Sequence, residues 1–219
     1  MRRKAQRASQ TPSIQVNPTC VPDPANPHSW LMLTGDDVDR DTLRVMYGCL
    51  RPVFRGRRNS AAAFAAAKLT VGAPPDTPPW TLTAARAEVL LPPGADDRLA
   101  DARALMETVD AELPVKAKAL LAYFTFTFPT TRLHEQYELV RDFTRRLIVD
   151  PFEVAALLVQ HAPNRAGLFG APHVHVLLAG PRRLTPLGLA DWVTPLATDT
   201  AHALVGNAFR QFRAGWRQG

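Results

Sequence analysis

Three histidines carry the strongest chemical signal in this sequence: His161, His173 and His175. His173 and His175 stand two apart in the apolar run 172–179, which reads as a strand, so alternation sends both side chains to one face. His161 ends the preceding strand-like run, 153–160, and the loop 162–171 between them holds two glycines, Gly167 and Gly170. That pattern predicts a hairpin. In an antiparallel pair the end of one strand faces the start of the next, so His161 falls opposite His173 or His175. Three imidazoles converging this way leave coordination positions open, as in a catalytic rather than a closed structural metal site. Imidazole suits Zn, Mn, Fe, Ni or Cu. A divalent ion there would polarise a phosphate and stabilise its developing charge. Half of the six histidines fall on this hairpin, which weighs against scattered packing residues. His134 and His202 lie in predicted helices and His28 in an N-terminal arm, so none of these joins the expected site.

The elements around the hairpin follow from periodicity. Residues 1–38 contain Pro12, Pro18, Pro22, Pro24 and Pro27 with little apolar rhythm, which predicts a flexible basic arm. Residues 39–219 form the single expected domain. A first strand is expected over 42–48, a basic loop over 51–60, and an alanine-rich helix over 60–69 capped by Ser60. A short strand follows at 87–91 and an amphipathic helix at 97–111. From 119 to 128 the period switches: Phe124, Phe126 and Phe128 alternate with Tyr123, Thr125 and Thr127, giving one apolar and one polar face. Helices over 133–148 and 198–214 complete the chain. The expected architecture is α/β (α+β), a central, mainly antiparallel sheet with helices on one face.

Composition narrows the partners. With 26 Lys+Arg against 20 Asp+Glu the chain carries +6, and its only lysines are Lys4, Lys68, Lys116 and Lys118. Arg51, Arg55, Arg57 and Arg58 cluster in the loop before the alanine helix, and Arg182 and Arg183 follow the second histidine strand. Both groups are candidate phosphate contacts on DNA. Two isolated cysteines exclude a disulfide framework or a Cys-x-x-Cys metal site. No apolar run approaches the ~20 residues of a membrane span. The basic start Met1-Arg2-Arg3-Lys4 is followed by polar residues rather than a signal core, so a cytoplasmic location is expected.

Several stretches resemble the MobA/MobL family of plasmid mobilisation relaxases. His161-Ala162-Pro163-Asn164-Arg165, followed by Ala171-Pro172-His173-Val174-His175-Val176-Leu177-Leu178, is similar to the family's metal motif. Glu138 to Phe143 resembles the helix before it, 121–129 a strand ending in Leu-Pro, and Val89-Leu90-Leu91-Pro92 an earlier strand. Tyr47 and Ser60-Ala61-Ala62-Ala63 resemble its first strand and alanine-rich helix, so the likeness spans roughly 42–180. The resemblance implies a histidine-hydrophobe-histidine (HUH) endonuclease fold in a bacterial cell. It implies a bound divalent metal ion (Mn, Mg or Zn). The implied function is site- and strand-specific nicking of DNA at a transfer origin through a tyrosine nucleophile. Mobilisation or type IV secretion proteins are the further partners it implies.

Two departures stand out. The family's nucleophilic tyrosine lies in the alanine-rich helix, where this chain has Ala67 and then Lys68. The places of an acidic pair on the strand before Leu-Pro hold Tyr123 and Thr125. If the polar face of that strand is the metal face, Tyr123 is the candidate nucleophile, with Tyr47 behind it. The alternative is a relaxase-like protein that binds DNA, or assists mobilisation, without nicking. A metal hydrolase unrelated to DNA would share only the three histidines.

Overall fold

The computed structural model describes residues 13–37, 43–74, 76–129, 132–198 and 200–216. Its strands are β1 (Ser13–Gln15), β2 (Leu33–Asp36), β3 (Arg44–Leu50), β4 (Val53–Phe54), β5 (Arg57–Arg58) and β6 (Arg86–Leu90). They continue as β7 (Leu121–Thr127), β8 (Ala156–His161), β9 (His173–Ala179), β10 (Arg182–Thr185) and β11 (Gly188–Trp192). The helices are α1 (Ala61–Leu69), α2 (Ala102–Ala111), α3 (Leu133–Thr144), α4 (Asp150–Phe152) and α5 (Ala201–Trp216), with a π-helical stretch, Arg145–Val149, joining α3 to α4. Seven strands form one sheet in the order β1-β2-β3-β7-β9-β8-β6, and every pairing is antiparallel.

The antiparallel α/β architecture is the expected one, with a second bank of helices added. The central strands β7, β8 and β9 are buried almost throughout on both faces. Apolar surface on two faces needs cover on two faces. On one, Phe124, Phe126, Val174 and Val176 pack with Tyr137, Val140 and Phe143 of α3 and Ala201, Val205 and Phe209 of α5. On the other, Leu121, Tyr123, Leu157, Val159 and Leu177 pack with Phe64 and Ala65 of α1 and Leu105, Met106 and Val109 of α2. The three histidines belong to this second face.

The expected arm over 1–38 is corrected by the structure from Ser13 onward. Residues 1–12 lie outside the described part, but β1 and β2 extend the sheet past β3, and Trp30, Leu31 and Leu33 are core residues. Prolines suppress helical and strand periodicity, and side-chain hydrogen bonds hold this segment instead. Asn17 donates to the carbonyls of His28 and Leu31 and accepts from Leu33 N. Trp30 donates to the Asp23 carbonyl, and Asn59 donates to the Trp30 carbonyl. Gly48 of β3 lets the segment lie close, because a Cβ there would stand 2.5 Å from Leu31 Cδ1 and 2.8 Å from the Met32 carbonyl.

Helix α1 is fixed at its start. Ser60 accepts from Ala63 N, and Asp110 of α2 accepts from Ser60 Oγ at 2.7 Å, Ala61 N at 2.7 Å and Ala62 N at 3.0 Å. One carboxylate thereby satisfies two backbone amides that a helix start leaves unpaired. The C-terminal end of α1 is carried to the histidines.

Candidate metal centre

The hairpin forms as the sequence spacing requires. His161 of β8 pairs directly with His173 of β9, and His175 lies between Val159 of β8 and Thr125 of β7. The connecting loop turns through a 3-10 segment, Pro163–Ala166, that Gly167 closes at φ 69°, a left-handed conformation glycine adopts without steric cost. The histidine ring centroids lie 4.4 Å (161–175), 4.7 Å (173–175) and 5.0 Å (161–173) apart. One nitrogen from each ring falls within 4.8 Å of the others, so the three can hold a metal ion.

Outer hydrogen bonds decide which nitrogens face inward. His161 Nε2 lies 2.7 Å from the Lys68 carbonyl and His173 Nδ1 lies 2.8 Å from the Ala171 carbonyl. A carbonyl only accepts, so both outer nitrogens carry the proton and donate it. The inner nitrogens, His161 Nδ1 and His173 Nε2, are then two lone pairs facing each other at 3.2 Å. His175 Nε2 meets the same His161 Nδ1 at 3.1 Å. Facing lone pairs repel unless a cation lies between them. A proton is disfavoured there: burial and the neighbouring rings hold His161 down to about 3, and burial lowers His173 and His175 as well. Neutral inward imidazoles with their outer nitrogens anchored are what a divalent ion requires of histidine ligands. The donor set therefore fits a metal.

His175 is the most enclosed ligand, with 0% exposure. Its outer Nδ1 lies 2.7 Å from the Tyr123 hydroxyl and 2.9 Å from Thr125 Oγ1. Tyr123 is thus on the metal face, as its strand alternation suggested. Its hydroxyl is engaged on the far side of a ligand ring, the residue is 0% exposed, and burial pushes its ionisation far above the usual tyrosine range. This geometry suits orientation of His175 and leaves a substrate phosphate no path to the hydroxyl. Tyr47, the other tyrosine considered, lies on the opposite face, stacked near Phe124 and bonded to the Leu196 carbonyl.

Two residues outside the expected site stand beside it. Lys68, at the end of α1, is 1% exposed, and its amine lies about 5 Å from the ring centres of Phe64 and Tyr123. Burial lowers its ionisation to about 7. Its Nζ meets His28 Nε2 at 3.0 Å. The His28 ring lies 6.0 Å from that of His175 and 6.3 Å from that of Tyr123, and burial, with Lys68 beside it, holds this histidine at about 3. Lys68 carried one sequence signal, a lone charge inside an alanine-rich helix. His28 carried none: it sits in the proline-rich segment, 133 positions before His161, with no periodicity linking the two.

The arginines divide by what they touch. Arg55 donates to the Pro18 and Cys20 carbonyls, and the Arg57 guanidinium lies 3.9 Å over the Trp30 ring, so both pin the N-terminal segment. Arg51 is exposed just after β3, and Arg58 is exposed on β5. Arg182 donates to the carbonyls of Glu112, Leu189 and Ala190, and Arg183 pairs with Glu153. These last two lie beyond the end of β9 opposite to His173, away from the metal ligands. A groove of about 340 Å³ borders His161, lined by Gly72, Thr83 and Arg165 among others.

No family model matches this chain, and no curated protein does. A solved structure from work on the molecular basis of vancomycin resistance transfer in Staphylococcus aureus overlaps 63% of this chain and 72% of its own. The two are 20% identical, with a TM-score of 0.49. A likeness this distant does not carry function, which has to rest on the site itself.

Proposed function

We propose that this protein cuts one strand of DNA by metal-dependent transesterification, at a plasmid transfer origin, in the manner of a mobilisation relaxase. The observation that carries the reading is the inward-facing histidine set on the sheet face, with outer nitrogens fixed by backbone carbonyls and by Tyr123 and Thr125. His161, His173 and His175 would hold the ion, and a bound divalent ion supplies charge stabilisation at a scissile phosphate. Exposed Arg51 and Arg58 flank the β4–β5 hairpin that precedes α1, where they would meet phosphates flanking the cut. The MobA/MobL likeness of the histidine hairpin supports DNA over other phosphodiesters. Mobilisation or secretion proteins would be its partners in transfer.

The second reading, DNA binding without cutting, is favoured by one observation: Tyr123 is sealed behind His175. Plasmid relaxation separates the two. The purified chain with Mn or Mg, given supercoiled plasmid carrying its transfer origin, is expected to produce relaxed circles, and His173→Ala to produce none. Absence of relaxed circles with Mn, Mg, Zn and Co alike would contradict the cutting function.

A further inference from the structure

The loop that joins the histidine strands holds an aromatic ring that packs on nothing. Of the ten phenylalanines in the chain, Phe169 alone is fully exposed, at 106%, and the others are buried or half-buried. A single exposed apolar side chain on a mobile loop would need no reading. This loop is braced on every side of Phe169. Before it, the Pro163–Ala166 turn is closed by Leu168 N donating to the Pro163 carbonyl at 2.8 Å. Leu168 itself leans on the segment after α1, where a Cβ on Gly72 would lie 3.4 Å from Leu168 Cδ1 and 3.0 Å from Ala166 Cβ. After it, the Ala171 carbonyl accepts from His173 Nδ1 and the Pro172 carbonyl accepts from Phe128 N. Gly167 at φ 69° and Gly170 at φ 141° turn the chain on either side, in conformations that side chains disfavour. The loop therefore folds Leu168 inward and leaves Phe169 out. Four residues separate Phe169 from His173, so their Cα atoms lie within ~14 Å of each other. Exposed Arg165 stands on the same loop and lines the groove of about 340 Å³ that borders His161, so one short segment presents a ring and a cation beside the metal ligands.

We propose that Phe169 is a base-stacking residue, which holds an unpaired base of single-stranded DNA next to the metal centre while Arg165 meets a phosphate of the same strand. The inference rests on the DNA reading proposed above and deepens it by naming a single strand as the ligand. A duplex keeps its base faces covered, whereas an unpaired base offers its face to an exposed ring. Every base has such a face, so Phe169 contributes affinity for any sequence, and the cation beside it contributes salt-dependent attraction. Because the loop ends on two of the metal ligands, a base stacked there fixes where along the strand the phosphate meets the ion. That placement assigns the loop 162–171 to substrate positioning as well as to joining β8 and β9.

The test measures anisotropy of labelled single-stranded oligonucleotides of randomised sequence with the full chain, in MnCl2 and again in EDTA, where metal-dependent cutting stops. Phe169→Ala should weaken binding ~5–100-fold with an unchanged salt slope, and Phe169→Leu should weaken it nearly as much. Arg165→Ala should instead lower the salt slope by ~0.7, the value for one phosphate on a single strand. Phe169→Trp should restore affinity, and the introduced indole should be quenched by single-stranded but not by blunt duplex DNA. Cobalt binding by all four variants should stay within about threefold of the parent, which shows that the fold and the histidine set are intact. Parent-like affinity of Phe169→Ala, equal quenching by duplex, or loss of self-association in Phe169→Ala with DNA affinity unchanged would overturn the inference, the last by assigning the ring to a contact between copies of the chain. Plasmid relaxation is scored separately. Relaxation by the parent with undiminished oligonucleotide binding by Phe169→Ala overturns this inference alone, and stacking without relaxation overturns the cutting function alone.

Discussion

Tyr123 shows how one residue can belong to a metal site without touching the metal. Its hydroxyl and Thr125 Oγ1 converge on one nitrogen of His175, leaving the other to face His161 and His173. Removing such an outer partner typically weakens metal affinity by ~10–100-fold, because the ligand ring loses its orientation and some basicity. Tyr123→Phe keeps the ring that packs edge-on against Phe64 and deletes only the hydroxyl. It should therefore weaken metal binding by ~10-fold and leave the fold intact, since Thr125 still holds the nitrogen. The double variant with Thr125→Val should lose more than the two single changes combined, as expected for groups sharing one partner. Isothermal titration with Mn measures both, and unchanged affinity in the double variant would remove Tyr123 and Thr125 from the site.

At the scale of elements, the site depends on α1 being held at both ends. Asp110 of α2 fixes its start through three hydrogen bonds, and its Lys68 carbonyl receives His161 at the other end. Asp110→Ala leaves Ser60 as the remaining cap, so urea unfolding should show a loss of about 1–3 kcal/mol. A change below a few tenths of a kcal/mol would mean that α1 is positioned by packing alone. The hairpin β8–β9, the helices α1, α2 and α5, and the alternating strand β7 were legible because their apolar residues repeat at the period of the element. The second helix layer was less so, since strands buried on both faces read as continuous apolar runs rather than as two patterned faces. The segment from Ser13 to Asp36 was misread as an arm for a different reason. Its hold comes from Asn17, Ser29, Trp30 and Asn59, whose side-chain bonds have no periodic signature. With it went His28, whose nearness to the triad is set wholly by tertiary structure.

The whole molecule buries its site at a cost that depends on pH. His28 and His161 titrate at 6.5 in an unfolded chain and at about 3 in the fold, so across that window the unfolded chain binds more protons. By linkage the metal-free protein loses stability as pH falls from about 6.5 towards 3. Lys68 pulls the same way at higher pH. It is lowered from 10.5 to about 7, so stability rises as pH rises between those values. Asp36, hydrogen-bonded by His202 and Arg210, and Glu88, hydrogen-bonded by Arg141, are lowered carboxylates whose contribution is lost in acid. The urea midpoint of the metal-free protein should therefore climb from pH 4 to pH 9. A flat or falling profile would mean that the buried cluster does not hold its neutral form.

The central claim is that His161, His173 and His175 bind one divalent ion. Cobalt(II) titration followed by visible absorption tests it most directly, since ligand-field bands report nitrogen ligation. One saturable equivalent per chain is predicted, with bands that are lost in His161→Ala, His173→Ala and His175→Ala and kept in His28→Ala. Absence of saturable binding in the parent protein, or bands unaffected by the three ligand substitutions, would contradict it.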